Sequence, residues 1–333
     1  MVRLATGKIP IEVLKSTVLR LTGAESKLLV THPKAGLDFA AVKVGSGYML
    51  VSADPITGVS AEAGKYAVIV SANDVATSGN RPQFSELVLL LPDGSTTDDV
   101  REMAEQTDSA ARGLGIAIVG GHTEVTPGLR RPIVIATTFS FVREYVSSED
   151  AKVGDSIMMT KTAGLEGTAV LAGNRRLAAE MPAAVRERAT RFVRKLSIVN
   201  EAVSAKRSGF VRAMHDCTEG GVLGAVFEMS LASGAGFILR ENAVPVADET
   251  RMLCEALSVD PLRLIGSGSL LLSVRKGHES QVAKALRPIC MVTTIGEFTE
   301  RDRILVKKGG REAVVHSAPE DELWRVLGRR SSV

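Results

Sequence analysis

Excess charge of either sign is missing from this sequence. Forty-one Lys and Arg stand against 38 Asp and Glu, a formal charge of +3 over 333 residues, too little for an electrostatic nucleic-acid binder, so no nucleic-acid partner is expected. Long apolar runs are missing too. The longest strongly apolar stretch, Leu87 to Leu91, stops at Pro92, far short of the ~18 residues that a membrane span needs. The opening MVRLATGKIP carries no apolar segment behind its basic residues, so no export leader is expected. Only three cysteines occur, Cys217, Cys254 and Cys290, widely spaced and without a CxxC pair, which argues against a disulfide framework and for a reducing compartment. These absences predict a soluble, cytoplasmic protein with no membrane partner. What is present, 45 % hydrophobic and 24 % charged residues, suits a globular chain long enough for two domains.

Hydrophobic spacing and turn residues divide the chain. Short strands are predicted at Leu28–Thr31, Ala40–Val44 and Tyr48–Val51, the last running out at Asp54-Pro55 because Pro55 cannot donate to a ladder. The residues from His32 to Asp38 read as a mobile loop. An almost wholly apolar stretch from about Glu62 to Ser78 predicts a helix buried on most sides and stopped by Gly79. A strand at Ser85–Leu91 ends in the turn Pro92-Asp93-Gly94, and Ser95 with Asp98 resembles a capping box. Val100, Met103, Ala104, Thr107, Ala111 and Leu114 then recur with helical spacing. Ile116–Val119 reads as a buried strand broken by Gly120-Gly121, and Ile133–Val142 as another strand.

Polar residues from Ser147 to Asp150 mark a boundary, giving candidate domains at 1–150 and 151–333. The second half holds a strand at Ile157–Thr160, a Gly-spaced turn at Gly164–Gly167 and one helical stripe from Val185 through Phe192 and Leu196 to Val203. A helix at Val222–Ala232 and a strand at Ser269–Val274 follow. Arg186, Arg188, Arg191 and Arg194 beside the stripe read as a solvated face. Alternating helices and strands make the class α/β or α+β.

Familiar nucleotide motifs fail. Gly58 and Gly64-Lys65 lie one residue too far apart for a P-loop, and Tyr66 stands where a magnesium-binding hydroxyl belongs. Gly113-Leu114-Gly115 precedes its strand, whereas a dinucleotide fingerprint follows one. What remains is a set of carboxylates at element ends: Asp38, Asp54, Asp74 and Glu124. A carboxylate inside an apolar helix, as Asp74 is, costs several kcal/mol of desolvation unless a cation or donors meet it, and a purely hydrogen-bonded role for Asp74 stays open. Converging carboxylates repel unless a divalent cation neutralises them, and hard oxygen ligands suit Mg²⁺ bridging nucleotide phosphates. His122 and Glu124 point the same way in an extended segment. His215 and Cys217 have no further clustered ligands for zinc. Gly220-Gly221 would let backbone N–H groups approach a phosphate, with Asp216 orienting that turn.

These pieces come in a recognisable order: Asp38-Phe39-Ala40-Ala41-Val42, Asp54, the run Asn73-Asp74-Val75-Ala76-Thr77-Ser78-Gly79-Asn80-Arg81-Pro82, Gly120-Gly121-His122-Thr123-Glu124-Val125, Asp216-Cys217-Thr218-Glu219-Gly220-Gly221, and Leu262 to Leu271. Over nearly the whole chain they resemble the PurM-like, AIR synthase-related superfamily: aminoimidazole ribonucleotide synthetase, thiamine-monophosphate kinase, selenophosphate synthetase and, most nearly, the hydrogenase maturation factor HypE. The resemblance implies an N-terminal domain that dimerises through its sheet, a C-terminal α/β domain, and ATP with Mg²⁺ between domains at the dimer interface. It implies phosphoryl activation of a carbonyl, amide or phosphate oxygen on a small-molecule or protein-borne acceptor. A kinase like thiamine-monophosphate kinase and a nucleotide-binding scaffold without turnover are the alternatives. Carried over by motif, Asp38, Asp54, Asp74 and Glu124 would hold metal, and Asp54, Asp74 and His122 would act in catalysis. Asp38, Asn73, Gly120, Gly121, Thr123, Gly220 and Gly221 would hold the nucleotide.

The chain also departs from that pattern. Phe39 follows Asp38 where the kinases pair two aspartates, and His122 stands where relatives carry an acid. Ser267 precedes Gly268 where an acidic residue is expected of HypE, and the sequence closes on Arg329-Arg330-Ser331-Ser332-Val333 without the HypE cysteine. The self-modification chemistry of HypE is therefore not expected.

Overall fold

A computed structural model describes Leu4, residues 6–58 and residues 61–328. The closing segment that lacks the HypE cysteine lies outside the described residues. After a short helix α1 (Ile11–Ser16), strands β1 (Ala40–Val44), β2 (Gly47–Ile56), β3 (Phe84–Leu91), β4 (Ala117–Val125) and β5 (Ile133–Val142) form one sheet in the order β1-β2-β5-β3-β4. All its pairings are antiparallel except β3 with β4, the two strands joined by helix α3 (Thr97–Leu114). Helix α2 (Ala63–Ala76) packs on the same face of the sheet as α3 and is buried nearly all round, as its composition requires.

Alternation decides what that sheet offers to each side. Leu50, Ser52, Asp54 and Ile56 of β2 share the helix-covered face with Leu87 and Leu89 of β3 and with Val134 and Ala136 of β5. Val51, Val88, Phe139 and half-exposed Phe141 line the opposite, open face.

Several sequence expectations shift. The segment Leu28–Thr31 forms a single bridge, Leu29 to Val42, in place of a strand. β2 runs on through Pro55 to Ile56, because β1 pairs it only as far as Val51 and the missing N–H faces an open edge. The capping box sits one residue later than expected, with Thr96 and Asp99 bonding reciprocally. β4 is not a short buried strand broken at Gly120-Gly121. It continues to Val125 as the outer strand of the sheet, and every residue of it is exposed. Gly121, at φ 152°, makes that continuation possible, since a Cβ there would lie 1.8 Å from the Leu87 carbonyl oxygen.

The second sheet comprises β6 (Ser156–Thr160), β7 (Val211–Asp216), β8 (Gly236–Arg240), β9 (Leu270–Val274), β10 (Val292–Thr299), β11 (Arg303–Val306) and β12 (Glu312–Val314), in the order β12-β11-β8-β10-β6-β9-β7. Around it lie α4 (Leu165–Gly173), α5 (Ala183–Thr190), α6 (Val199–Arg207), α7 (Gly221–Ser233), α8 (Asp248–Leu257), α9 (Glu279–Leu286) and α10 (Glu322–Gly328). The single stripe expected from Val185 to Val203 is broken into α5, a 3₁₀ segment at Arg191–Lys195 and α6. Two side chains capture the backbone at the break. Asn73 bonds the Leu196 carbonyl and the Ile198 N–H, and Lys161 donates to the carbonyls of Lys195 and Ser197.

The two halves share one packed cluster. Leu165, Ala169, Phe192 and Leu196 lie against Ala63, Tyr66 and Ala67 of α2, so α2 is the wall between the sheets. Among the described residues no helix is long and apolar enough to cross a membrane.

Candidate active site

Beside α2, carboxylates from four elements converge. Asp38 comes from the loop before β1, Asp54 from the open end of β2, Asp74 from the last turn of α2 and Asp216 from the end of β7. Ser52 donates to Asp74 Oδ2 at 2.7 Å and reaches Asp54 Oδ2 at 3.5 Å. His215 joins them: its Nε2 is 3.0 Å from Asp38 Oδ1 and 3.5 Å from Glu228 Oε2. The His215 Nδ1 sits 2.7 Å from the Asp216 carbonyl oxygen, which can only accept, so Nδ1 carries the hydrogen and Nε2 faces the acids. Lys8 closes the cluster from the N-terminal segment, with its Nζ 2.5 Å from Glu228 Oε1.

The electrostatics are those of too much negative charge in too little water. Burial pushes the Asp74 carboxyl well above the usual carboxylate range, and Asp54, Asp216 and Asp38 push it further. Burial does the same to Asp216, with Asp38 adding and His215 opposing. Asp38 is raised chiefly by burial, with nearby Thr77 opposing and Glu228 adding to the rise. Glu228 goes the other way: burial raises it, but Lys8 and His215 outweigh that and hold it low.

The donor set fits a divalent cation. Asp38 Oδ2, both carboxylate oxygens of Asp216 and His215 Nε2 are buried without a hydrogen-bond partner, and one ligand atom each from Asp38, His215 and Asp216 lie within 4.8 Å of one another. Buried polar atoms are seldom left this way, and hard oxygen ligands are what Mg²⁺ requires.

The structure does not bring every expected residue here. His122 pairs with Val88, and Glu124 with Leu90, so both lie on the open face of the sheet, opposite to Asp54. They bond to each other at 3.0 Å, with Thr126 donating to Glu124. The His122 bond, then Thr126, holds the Glu124 carboxyl below its ordinary range. Within one chain Gly120, Gly121 and Thr123 are likewise parts of the exposed outer strand and not of this cluster. Asn73 is wholly buried and its amide is spent on the backbone around Leu196–Ile198, so it ties the halves together. At the start of α7, the Gly220 N–H donates to Asp321, and Gly221 (φ 61°) lets the chain pass close to the carbonyls of Leu262 and Leu264.

Sequence reasoning gave Asp216 only a turn-orienting role and passed over Glu228 and Lys8. Glu228 carried a usable signal, a lone acid in an apolar helix, which is the argument that singled out Asp74.

Comparison with known proteins decides the family. The model of the AIR synthase related protein N-terminal domain matches residues 36–142, and that of the C-terminal domain matches residues 152–308. The chain belongs to the AIR synthase-related family. It is 30 % identical over 261 residues to the carbamoyl dehydratase HypE of Bradyrhizobium diazoefficiens, covering 76 % of this chain and 74 % of the relative. The AIR synthase-related fold is also seen in the HypE–HypF complex (TM-score 0.76, 21 % identity, 91 % of this chain and 99 % of that one). HypE in complex with ATP shares it at a TM-score of 0.72 and 22 % identity, covering 96 % and 98 % of the two chains. The PurM-like, HypE-like resemblance and the two-sheet α/β architecture expected of it are both present in this AIR synthase-related chain.

Proposed function

We propose that this chain is an ATP-dependent enzyme whose magnesium site is built from Asp38, Asp54, Asp74 and Asp216, and whose acceptor presents a carbamoyl or related amide oxygen. The single observation that carries the reading is the buried carboxylate set with unpartnered oxygens, on a chain whose relative is named a carbamoyl dehydratase. Bound Mg²⁺ would neutralise these carboxylates and hold the nucleotide phosphates beside the acceptor. Ser52 fixes the Asp74 oxygen it bonds, and His215, tethered through Nδ1, offers Nε2 at a set position. Units 1–150 and 151–333 would then meet across the cleft, and the protein would work as a homodimer over the open face and β4. His122 and Glu124 lie on that face, so their part in the site would come through the second copy.

Product analysis tests this reading. With Mg²⁺, ATP and a panel of carbamoyl compounds, the expected products are ADP, free phosphate that carries the former amide oxygen, and the acceptor dehydrated to a nitrile, formed only when an acceptor is present. Phosphate retained on the product would make the protein a kinase. Nucleotide binding without turnover across the panel would make it a regulatory binder, and either result would overturn the dehydratase reading.

A further inference from the structure

Beyond the magnesium cluster lies a second group of acids, which the proposed chemistry has not yet used. Glu166 stands in the first turn of α4, behind the left-handed Gly164, and is 7 % exposed. Gly167 presses the helix so closely against Leu264 that a Cβ would lie 2.4 Å from the Leu264 side chain, so Glu166 is held firmly in place. Glu219 and Asp321 are close enough to act on its charge, Tyr66 of α2 is a further neighbour, and nearby Ser267 opposes the rise that burial imposes on its carboxyl.

The neighbouring acids are already satisfied. Asp321 accepts from the N–H groups of Gly220 and Leu323, each at 2.7 Å, and Glu219 accepts from the Lys8 N–H at 2.8 Å. Glu166 Oε2 is buried and has no partner. A single turn joins this group to the magnesium cluster. The turn that begins at Asp216 runs on through Glu219 to Gly221, and an added Cβ on Gly266 would meet both Cys217 and the Gly164 backbone at 3.4 Å. An anionic ligand would be repelled here; a group bringing N–H donors would complete the one unsatisfied acceptor.

We propose that Glu166, backed by Ser267, is the specificity-determining residue for the acceptor, its carboxyl accepting hydrogen bonds from the NH₂ of a carbamoyl or other primary amide. This rests on the activity proposed above. It places the nucleotide phosphates at Asp216 and the acceptor at Glu166.

The test uses the full chain loaded with Mg²⁺ and a non-hydrolysable ATP analogue, with ethyl carbamate and its N,N-dimethyl derivative as probes followed by ligand-observed NMR. Nucleotide binding is measured first, so that failure of the activity reading is seen separately as absence of that binding. The expected result is saturable binding of ethyl carbamate at least tenfold tighter than of the dimethyl probe. Glu166→Met should abolish that discrimination, and Glu166→Asp should restore part of it. Glu166→Ala serves if the methionine variant does not fold. Equal binding of the two probes to the nucleotide-loaded wild type, no binding of either, or discrimination that survives in the Glu166 variants would overturn the assignment.

Discussion

Replacing Asp74 with Asn should move two measurements in opposite directions. Mg²⁺-dependent affinity for an ATP analogue should fall by roughly tenfold or more, about 1.4 kcal/mol, because a charged ligand is lost from the cation. The metal-free protein should instead become more stable, because one member of a buried, mutually repelling set has been neutralised. Asp74 feels Asp54, Asp216 and Asp38 together, while Ser52 supplies it a hydrogen bond that the Asn carbonyl can also accept. Calorimetry with and without EDTA reads both effects. A lower melting temperature in EDTA together with unchanged nucleotide affinity would assign Asp74 to structure alone.

The second large effect is the response of metal-free stability to pH. Burial raises Asp38, Asp74 and Asp216, and it pushes Glu166 and Asp321 up to about 7. A raised carboxyl means that the folded protein keeps protons the unfolded chain would release. The stability these groups contribute is therefore complete below the ordinary carboxylate range near pH 4, and it is lost as pH rises through the folded values. Glu166 alone, carried to about 7, represents on the order of 3 kcal/mol. In EDTA the melting temperature should fall by roughly 5 °C or more between pH 5.5 and pH 8. Mg²⁺ with nucleotide should flatten or reverse that slope, because ligands must be deprotonated to bind. Glu228, held low by Lys8 and His215, opposes the trend at its acid end only. A melting temperature in EDTA that rises from pH 5.5 to pH 8 would contradict the picture of an uncompensated acid cluster.

How much of this was legible in the sequence depended on whether a residue's role was local. Asp74 showed itself as a lone carboxylate in an apolar helix, and Asp54 as an acid where a strand meets a proline; both readings need only a few neighbours. His122 shows the limit. The two-residue period correctly puts His122 and Glu124 on one side of their strand, but which side of the sheet that is follows from β3 lying between β4 and β5, and no local pattern encodes strand order. The same holds for burial of β4. Ile118 and Val119 look like core residues, and only its position at the sheet edge leaves them exposed. The stripe from Val185 to Val203 had a real helical period, yet Asn73 and Lys161, from distant elements, take the backbone groups that a continuous helix would need. Asp216 was hidden because its partners, Asp38 and Asp74, lie more than a hundred residues away in the other half of the chain.

The most direct measurement is an anomalous difference map from crystals grown with Mn²⁺ and a non-hydrolysable ATP analogue, Mn²⁺ standing in for Mg²⁺. The account predicts a manganese peak bonded to carboxylate oxygens of Asp74 and Asp216, with Asp38 or Asp54 completing the protein ligands and the nucleotide phosphates on its open side. A nucleotide-bound crystal whose manganese lies elsewhere, with Asp38, Asp74 and Asp216 all free of metal, would contradict it.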